Sequence, residues 1–430
     1  ADDMGLGKTI QCLAFLEKRR LKTKNKMPSL LVAPKSLLGN WKNEAATFTP
    51  KLDVLIYAGN DRHTLDAAQF ESFDLVVTTY QTMLRDFEFL KDLCWDCLIC
   101  DEAQAIKNPE ALISKAIKTI PAKFRLAMTG TPIENSIQDL FSISDFVNPG
   151  FLNGKKQSAG IKISDEARDV LSKAFKPVIL RRTKDQVLKD LPEKIEQVIS
   201  VELDPKQQKI YNDLKRFYQS RLLKEVEENG INKSQIQILA ALTRLRQVAL
   251  HPGLVSSDHT KVKSSKFEVV LEMLEEIISE DHRVLVFSQF TSLLALLKKE
   301  LKTRKIDFCY LDGKTTKRQE TVDEFKKSDV PVFLMSLKAG GTGLNLVEAD
   351  YVFLLDPWWN PAVEAQAIDR IHRIGQKKAV NAYRFIAKNT VEEKIMELQN
   401  SKRNLTEDII GKKSSPLKSL TAQDIQNIFT

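Results

Sequence analysis

The sequence predicts an α/β protein with two parallel-sheet units and a helical insertion between them. Short apolar runs alternate with helix-length amphipathic segments through the first 180 residues, and the same alternation returns after residue 263. Between these regions, apolar residues from Asp204 to Leu250 recur only at helical spacing. Strands separated by helix-length segments are expected to pair in parallel. The helix carries the chain back to the end of the sheet where the previous strand began, so the next strand runs in the same direction.

Each predicted strand is short, rich in aliphatic residues, and bounded by polar or turn residues. In the first unit the predicted strands are Leu30–Ala33, Val54–Tyr57, Leu75–Thr78, Cys97–Cys100 and Leu126–Met128. In the second unit they are Val284–Phe287, Asp307–Leu311, Val330–Met335, Tyr351–Leu355 and Val380–Phe385. The predicted domains are a first unit at 1–185, a helical segment at 186–262, a second unit at 263–410 and a tail at 411–430.

Composition narrows the class of protein. The 430 residues are 43% hydrophobic, which is enough for real cores and excludes wholesale disorder. No apolar run approaches the roughly 18 residues of a membrane span, so we expect no membrane association. Five cysteines are too few for a disulfide scaffold. A formal net charge of +8 permits a polyanionic partner without requiring one.

A candidate phosphate loop lies at the start of the chain, at Gly5-Leu6-Gly7-Lys8-Thr9. Glycines let backbone N–H groups approach phosphate oxygens, Lys8 would reach the β- and γ-phosphates, and Thr9 would bind Mg²⁺. Asp2 stands where the usual pattern has glycine, so a simple glycine-rich helix start is the alternative. The strand that normally precedes such a loop is missing, and we therefore expect the chain to be a fragment.

An acidic pair, Asp101-Glu102, follows the predicted strand Cys97–Cys100 about 90 residues after this loop. Parallel sheets bind ligands beyond the carboxyl ends of their strands. Asp101 could hold Mg²⁺ and Glu102 could orient or deprotonate an attacking water. Alone, the pair could equally be a solvated turn; its position after a phosphate loop favours a role in nucleotide hydrolysis.

Two arginines mark the second unit. If the helix predicted from Ala362 continues, Gln366, Arg370 and Arg373 share one face at spacings of four and three. Arginines in a second unit could stabilise charge on a γ-phosphate, and a basic surface face is the alternative. Cys94, Cys97 and Cys100 resemble a metal-binding pattern, but residues three apart on a strand point to opposite faces, which favours packing.

The ordered set of motifs resembles the Swi/Snf-type ATPases of helicase superfamily two. Similarity to motifs I, Ia, Ib, II and III lies at Asp2–Gln11, Leu31–Leu38 with Trp41, Thr78–Tyr80, Asp101–Gln104, and Thr129–Pro132 with Glu134-Asn135. Motif IV is similar to Val284–Phe290, and Leu311–Gly313 resembles the turn that follows this motif. Motif V is similar to Ser336–Leu346, and motif VI to Asp356–Pro361 running into Gln366–Gln376.

The resemblance implies two RecA-like lobes that bind ATP and Mg²⁺, with helical protrusions between them. It implies a motor that translocates on double-stranded DNA, held mainly by the phosphate backbone, and that remodels or displaces DNA-bound protein. The implied catalytic residues are Lys8, Asp101, Glu102, Gln104, Gln366, Arg370 and Arg373. The implied nucleotide-binding residues are Asp3, Met4, Gly5, Leu6, Gly7, Lys8, Thr9 and Gly341, with Thr9 and Asp101 on the metal. The implied DNA-binding residues are Lys35, Ser36, Thr79, Tyr80, Gln289, Gly313, Ser336, Lys338, Gly340 and Thr342.

Two other functions stay open at this point. One is a strand-separating DNA or RNA helicase, and the other is a DNA-binding module that does not hydrolyse ATP. We expect a monomer, located in the cytoplasm with the nucleoid if the source is bacterial and in the nucleus if it is eukaryotic.

Overall fold

The computed structural model describes residues 1–22, 27–59, 62, 66–130, 137–150, 175, 177–188, 191–229, 231–340, 344–397 and 399. The chain divides into two compact units, the first ending at Asp190 and the second beginning at Leu191. Each unit is built on one wholly parallel sheet with helices on it. The predicted fold class is therefore confirmed.

The sheet of the first unit has the strand order β2-β3-β1-β4-β5. Its strands are β1 Ser29–Ala33, β2 Val54–Tyr57, β3 Leu75–Thr79, β4 Trp95–Asp101 and β5 Ala122–Met128. Its helices are α1 Lys8–Lys22, α2 Leu38–Phe48, α3 Ala67–Glu71, α4 Tyr80–Arg85, α5 Phe87–Lys91, α6 Leu112–Thr119, α7 Ile137–Val147 and α8 Lys184–Val187. All five predicted strands of this unit are confirmed.

The two faces of this sheet carry separate apolar cores. Cys97 packs with Leu13 and Trp41 on one face, while Cys100 packs with Phe70 and other residues on the opposite face. Successive residues of a strand alternate between faces, so this is the arrangement that the spacing of three predicts. Both thiols are buried, and burial raises the pKa of Cys97 to about 12.

The sheet of the second unit has the strand order β6-β11-β10-β7-β9-β8. Its strands are β6 Lys194–Val201, β7 Val284–Ser288, β8 Phe308–Leu311, β9 Val332–Ser336, β10 Tyr351–Leu354 and β11 Val380–Ala387. Its helices are α9 Pro205–Asn229, α10 Ile231–Leu250, α11 Ser265–Ser279, α12 Thr291–Thr303, α13 Arg318–Lys327, α14 Leu337–Gly340 and α15 Pro361–Ile368, and residues 391–397 are also helical.

Strand β6 was not predicted and lies inside the segment 186–262 that the sequence assigns to helices. It pairs along its full length with β11, from Lys194 opposite Val380 to Val201 opposite Ala387. An edge strand needs no continuous apolar run, and polar residues alternate through this one, so its sequence pattern is weak. The chain thus enters the second sheet before it forms the predicted helices.

The predicted helical stretch is confirmed as α9 and α10, which pack on the second unit. Tyr211 and Leu245 share an apolar cluster with Val391 and Ile395, and the Val391 N–H donates to the Tyr211 hydroxyl at 2.7 Å. Within the described ranges, no helix combines the length and the apolar composition that a membrane crossing requires.

A fully buried ion pair fixes α11 in the second unit. The Lys266 ammonium lies 2.6 Å from the Glu392 carboxylate, and the two residues are 1% and 0% exposed. The same carboxylate accepts the Ala387 N–H at 2.8 Å, at the end of β11. Burial lowers the pKa of Lys266 and raises that of Glu392, because each charge has left water.

We predict that Lys266→Met lowers the free energy of unfolding by about 3–5 kcal/mol, because it leaves a buried carboxylate without its partner. The second substitution Glu392→Gln should restore much of this loss, since glutamine is neutral and still accepts the Ala387 N–H. Urea unfolding measures both effects. Lys317→Met, which removes an exposed pair with Glu320, is the control and should change nothing measurable. A single variant as stable as the control would contradict the prediction.

Candidate functional site

Polar residues gather at the carboxyl edge of the first sheet. Lys35 follows β1, Thr79 ends β3, Asp101 ends β4 and Thr129 follows β5. Parallel strands end at one edge, so these residues come from distant parts of the sequence to the same side of the sheet. The candidate phosphate loop leads into α1 beside two of them, Asp101 and Thr129.

The phosphate loop has the backbone that its glycines predict. Gly5 and Gly7 have φ of 86° and 73°, the left-handed region that glycine adopts without strain. Helix α1 begins immediately afterwards at Lys8, and its first N–H groups have no partner within the helix. The Lys8 ammonium donates to the carbonyl oxygens of Asp2 at 2.7 Å and Asp3 at 3.1 Å. Backbone donors and an ammonium are what a phosphate group requires.

Asp101 is a buried carboxylate held by two donors. The Trp41 indole donates to one oxygen at 2.9 Å and the Glu102 N–H donates to the other at 3.0 Å. Its own carbonyl accepts the Tyr80 hydroxyl at 2.8 Å. Burial, reinforced by the nearby Glu102 carboxylate, raises the pKa of Asp101 to about 7. A desolvated carboxylate of this kind gains by meeting a cation, which fits the predicted role in holding Mg²⁺.

Glu102 is oriented by a short chain of hydrogen bonds. The side-chain Nε2 of Gln104 donates to the Glu102 carboxylate at 2.8 Å, and the Thr129 hydroxyl donates to the side-chain Oε1 of Gln104 at 2.9 Å. Glu102 also has a left-handed backbone with φ of 50°, a strain of about 1–3 kcal/mol that the surrounding contacts must hold. Residues with strained backbone conformations cluster at active sites, where the surrounding structure holds the side chain in a defined orientation.

Gly130, at the end of the β5 segment, touches the phosphate loop. A Cβ atom at this position would lie 2.8 Å from Met4 Cγ and 3.7 Å from the Lys8 ammonium. Any larger residue at this position would force the Met4 side chain to move. The structure therefore brings Met4, Lys8, Gly130 and the acidic pair together. Burial lowers the pKa of Lys8, and the nearby Glu102 and Asp101 carboxylates oppose this shift only in part.

Sequence reasoning assigned no chemical role to Trp41 or Gly130, although both lie in family motifs. The signal for Trp41 is its place in the segment that resembles motif Ia, but only the fold shows that its indole, on α2, reaches Asp101. Tyr80 was predicted to bind DNA. The residue is only 7% exposed and its hydroxyl donates to the Asp101 carbonyl, which makes it a support for the acidic pair.

The other predicted DNA-binding residues of the first unit lie nearer the surface. Lys35 is exposed and Ser36 half-buried, both in a short helical turn after β1. The Thr79 hydroxyl caps α4 by accepting the Thr82 N–H at 3.0 Å.

The second unit has a comparable carboxyl edge. Gln289 follows β7, Gly313 is exposed after β8, and Ser336 ends β9 with its hydroxyl accepting the Ala339 N–H at 3.3 Å. Asp356, after β10, accepts the Ser288 hydroxyl at 2.6 Å and the Gln289 N–H at 3.2 Å. Lys338 and Gly340 lie in α14, whereas the predicted Gly341 and Thr342 fall outside the described residues, as does the tail at 411–430.

The predicted common helical face of Gln366, Arg370 and Arg373 is wrong. Helix α15 ends at Ile368, with Asp369 as its C-cap, so only Gln366 lies on it. The two arginines lie in the turns that follow. Arg370 is buried and its carbonyl accepts the Leu346 N–H at 3.1 Å, while the Arg373 guanidinium donates to the Leu344 carbonyl at 3.4 Å. Local spacing predicts a shared face only while the helix persists.

Comparisons with known proteins agree with this arrangement of motifs. Residues 1–254 match the family model described as SNF2-related domain, and residues 265–375 match the helicase conserved C-terminal domain. A Mycoplasma genitalium protein described as an uncharacterised ATP-dependent helicase is 38% identical over all of the chain, which covers 42% of that protein. The ISWI chromatin-remodelling complex ATPase ISW2 of Saccharomyces cerevisiae is 34% identical over 97% of the chain and 40% of its own length.

Among solved structures, the Sulfolobus solfataricus SWI2/SNF2 ATPase core in complex with dsDNA is 34% identical to the present chain, with a TM-score of 0.47. The alignment covers all of the present chain and 91% of the Sulfolobus chain. The present chain spans about two fifths of the length of the two full-length relatives.

We predict that the difference in stability between Asp101→Asn and the unsubstituted protein shifts in favour of the variant as the pH rises. Thermal melting without nucleotide and with EDTA measures this difference. The pKa of Asp101 is raised from 3.8 to about 7 on folding, so the folded protein binds the extra proton between these values and its stability falls as pH rises through them. Asparagine does not titrate.

Between pH 5.5 and pH 8 the advantage of the variant should grow by about 1–2 kcal/mol. Asp92→Asn, at an exposed carboxylate of the same unit, should show no such growth. An advantage for Asp101→Asn that stays constant across this range would refute the assigned burial of charge.

Proposed function

The chain belongs to the SNF2-related family, and from this premise we propose that it is an ATP-hydrolysing motor that translocates on double-stranded DNA and remodels or displaces DNA-bound protein. The observation that carries the proposal is the convergence of Lys8, Asp101 and the oriented Glu102 beside a glycine-rich loop. These are the groups that phosphoryl transfer to water requires: a cation for the phosphates, a metal-binding carboxylate and an acceptor for the water proton.

In this proposal each residue of the first unit has one task. Lys8 would leave the Asp2 and Asp3 carbonyls to bind the β- and γ-phosphates, and the loop N–H groups would bind the remaining phosphate oxygens. Thr9 and Asp101 would hold Mg²⁺, which supplies positive charge that neutralises the triphosphate. Glu102 would accept a proton from the attacking water.

Gln104 and Thr129 would hold the Glu102 carboxylate in the orientation that the attacking water requires. A carboxylate bonded by the Gln104 amide keeps one oxygen for the water, and the Thr129 hydroxyl fixes the amide itself. Arg370 and Arg373 of the second unit would stabilise the charge on the γ-phosphate, and Gln366 and Gly341 are the other candidate site residues of that unit.

The proposal for DNA rests on the polar carboxyl edges and on the positive charge. Lys35, Ser36 and Thr79 in the first unit, and Gln289, Gly313, Ser336, Lys338, Gly340 and Thr342 in the second, are the candidate contacts. Small polar side chains and backbone N–H groups bind phosphate oxygens without reading bases. We therefore expect binding that is independent of sequence and weakens steeply with salt.

A strand-separating helicase is the second candidate, because one relative is described as an ATP-dependent helicase. The two candidates differ in what they do to duplex DNA. Displacement of the third strand from a DNA triplex reports movement along the duplex and does not require base-pair opening, whereas release of one strand from a forked duplex requires unwinding.

We predict ATP-dependent triplex displacement with no unwinding of forked DNA or RNA, and ATP turnover that rises on addition of linear duplex DNA. Raising the salt concentration from 50 to 200 mM should reduce the stimulation steeply, because counterions compete for the phosphates. Unwinding of the forked substrate would favour the helicase. An ATP turnover rate that does not change when duplex DNA is added would contradict the proposed motor.

We predict that Glu102→Gln lowers kcat for ATP by about a hundredfold or more while the Kd for ATP stays within a few-fold, because only the proton acceptor is lost. Steady-state turnover and equilibrium nucleotide binding measure the two effects. Glu320→Gln, at an exposed carboxylate on α13, is the matched control. Normal turnover by Glu102→Gln removes this residue from the proposed role.

A further inference from the structure

The carboxylate of Asp2 occupies the position where the phosphate-loop pattern has glycine, and it is almost completely buried. Its side chain is 3% exposed. Burial alone would raise the pKa of Asp2, but hydrogen bonds from Arg182 and Gln11 hold it below the ordinary value. Asp2 therefore stays negatively charged at the start of a loop whose candidate ligand is also negatively charged. This charge needs a cationic partner in the folded protein.

Arg182 is the partner of this carboxylate, from 180 residues further along the chain. Its backbone N–H donates to Asp2 Oδ1 at 2.9 Å, and its guanidinium Nε donates to Oδ2 at 3.1 Å. A second guanidinium nitrogen, Nη2, also donates to Oδ2. A guanidinium that bonds a carboxylate through two nitrogens fixes direction as well as distance.

The same guanidinium is bonded to helix α1. Arg182 Nη2 donates to the side-chain oxygen Oε1 of Gln11 at 2.9 Å, and the side-chain Nε2 of Gln11 donates to the Leu6 backbone carbonyl at 3.0 Å. Gln11 thus connects Arg182 to the middle of the phosphate loop, between its two glycines. Arg182 contacts the start of the loop directly and its centre through one glutamine.

The main chain of the loop is tied to the same segment. The Asp3 N–H donates to the Arg182 carbonyl at 3.0 Å, and the Lys184 N–H donates to the Asp3 carboxylate at 3.2 Å. The carbonyls of Asp2 and Asp3 are those that hold the Lys8 ammonium. Arg182 therefore bonds both of the residues whose carbonyls hold the Lys8 ammonium.

We propose that Arg182 is a positioning residue for the phosphate loop, acting through Asp2 and Gln11 to hold Lys8 and the loop N–H groups ready for a triphosphate. The inference rests on the proposed nucleotide binding, but not on hydrolysis or on DNA. Loss of Arg182 leaves a loop that ATP itself must order, so ATP binding weakens while the chemistry of a filled site persists.

The test measures the Kd of a non-hydrolysable ATP analogue, together with KM and kcat for ATP, in the purified protein. Arg182→Met should raise both the Kd and the KM about tenfold or more, since it removes several bonds to a charged group, and should leave kcat within about threefold. Arg20→Met is the control, because it removes the guanidinium of a surface pair with Glu17 on α1 and should leave Kd unchanged.

Two further variants separate positioning from folding and from charge. Arg182→Lys keeps the charge but not the planar fork, so it should fold and show an intermediate Kd. Asp2→Asn with Arg182→Met removes the uncompensated anion. Its Kd should stay near that of Arg182→Met alone, because both changes break the same bonds.

The outcomes are distinct. A Kd of Arg182→Met equal to that of the control overturns the proposal, as does recovery of wild-type affinity in the double variant, which would make charge compensation the whole effect. A wild-type protein that binds no nucleotide overturns both this proposal and the proposed function. A protein that binds the analogue in an Arg182-dependent manner but hydrolyses no ATP leaves the positioning role standing and removes only the motor.

Discussion

Two adjacent carboxylates and one ammonium share a partly buried edge of a parallel sheet, and much of the first unit supports that cluster. Asp101 is desolvated next to Glu102, which raises its pKa to about 7. Such an arrangement costs free energy in the folded protein and persists only because the fold determines it. Trp41 and Tyr80 hold Asp101, while Gln104 holds Glu102. The surrounding core residues therefore act on the chemistry through the positions of two carboxylates.

The phosphate loop depends equally on residues that lie far away in sequence. Its glycines permit the turn, but Gly130 leaves the space that Met4 occupies, and Arg182 bonds the Asp2 carboxylate. A loop held in this way is ordered before any ligand arrives, which reduces the entropy that binding must overcome. Asp2 departs from the simple glycine pattern, and its carboxylate is the group that accepts the hydrogen bonds of Arg182.

In the second unit, the helices that interrupt the alternation of strands are part of the packed body. They share a core with the C-terminal helical residues around Val391. A buried Arg246 on α10 lies 3.4 Å from the Asp356 carboxylate, which also binds the end of β7. The Arg246 guanidinium also donates to the Pro357 carbonyl, so this buried pair connects α10 with the turn after β10 and, through Asp356, with the end of β7. The family match spans the first unit and these helices, through residue 254.

Within the residues that the structure describes, the sequence by itself determined the class of fold and ten of the eleven strands, and it located the candidate phosphate loop and the acidic pair. Local periodicity, glycine spacing and residue order carry that information, because each depends on neighbours in the chain. It failed at β6, whose stability comes from pairing with β11, and at Arg370 and Arg373, which lie beyond the end of α15. Only the tertiary structure decided that Trp41 bonds Asp101, that Tyr80 is a buried support and that Arg182 bonds Asp2. Those contacts join residues 21 to 180 positions apart, and no local pattern encodes which distant side chain will meet a buried charge.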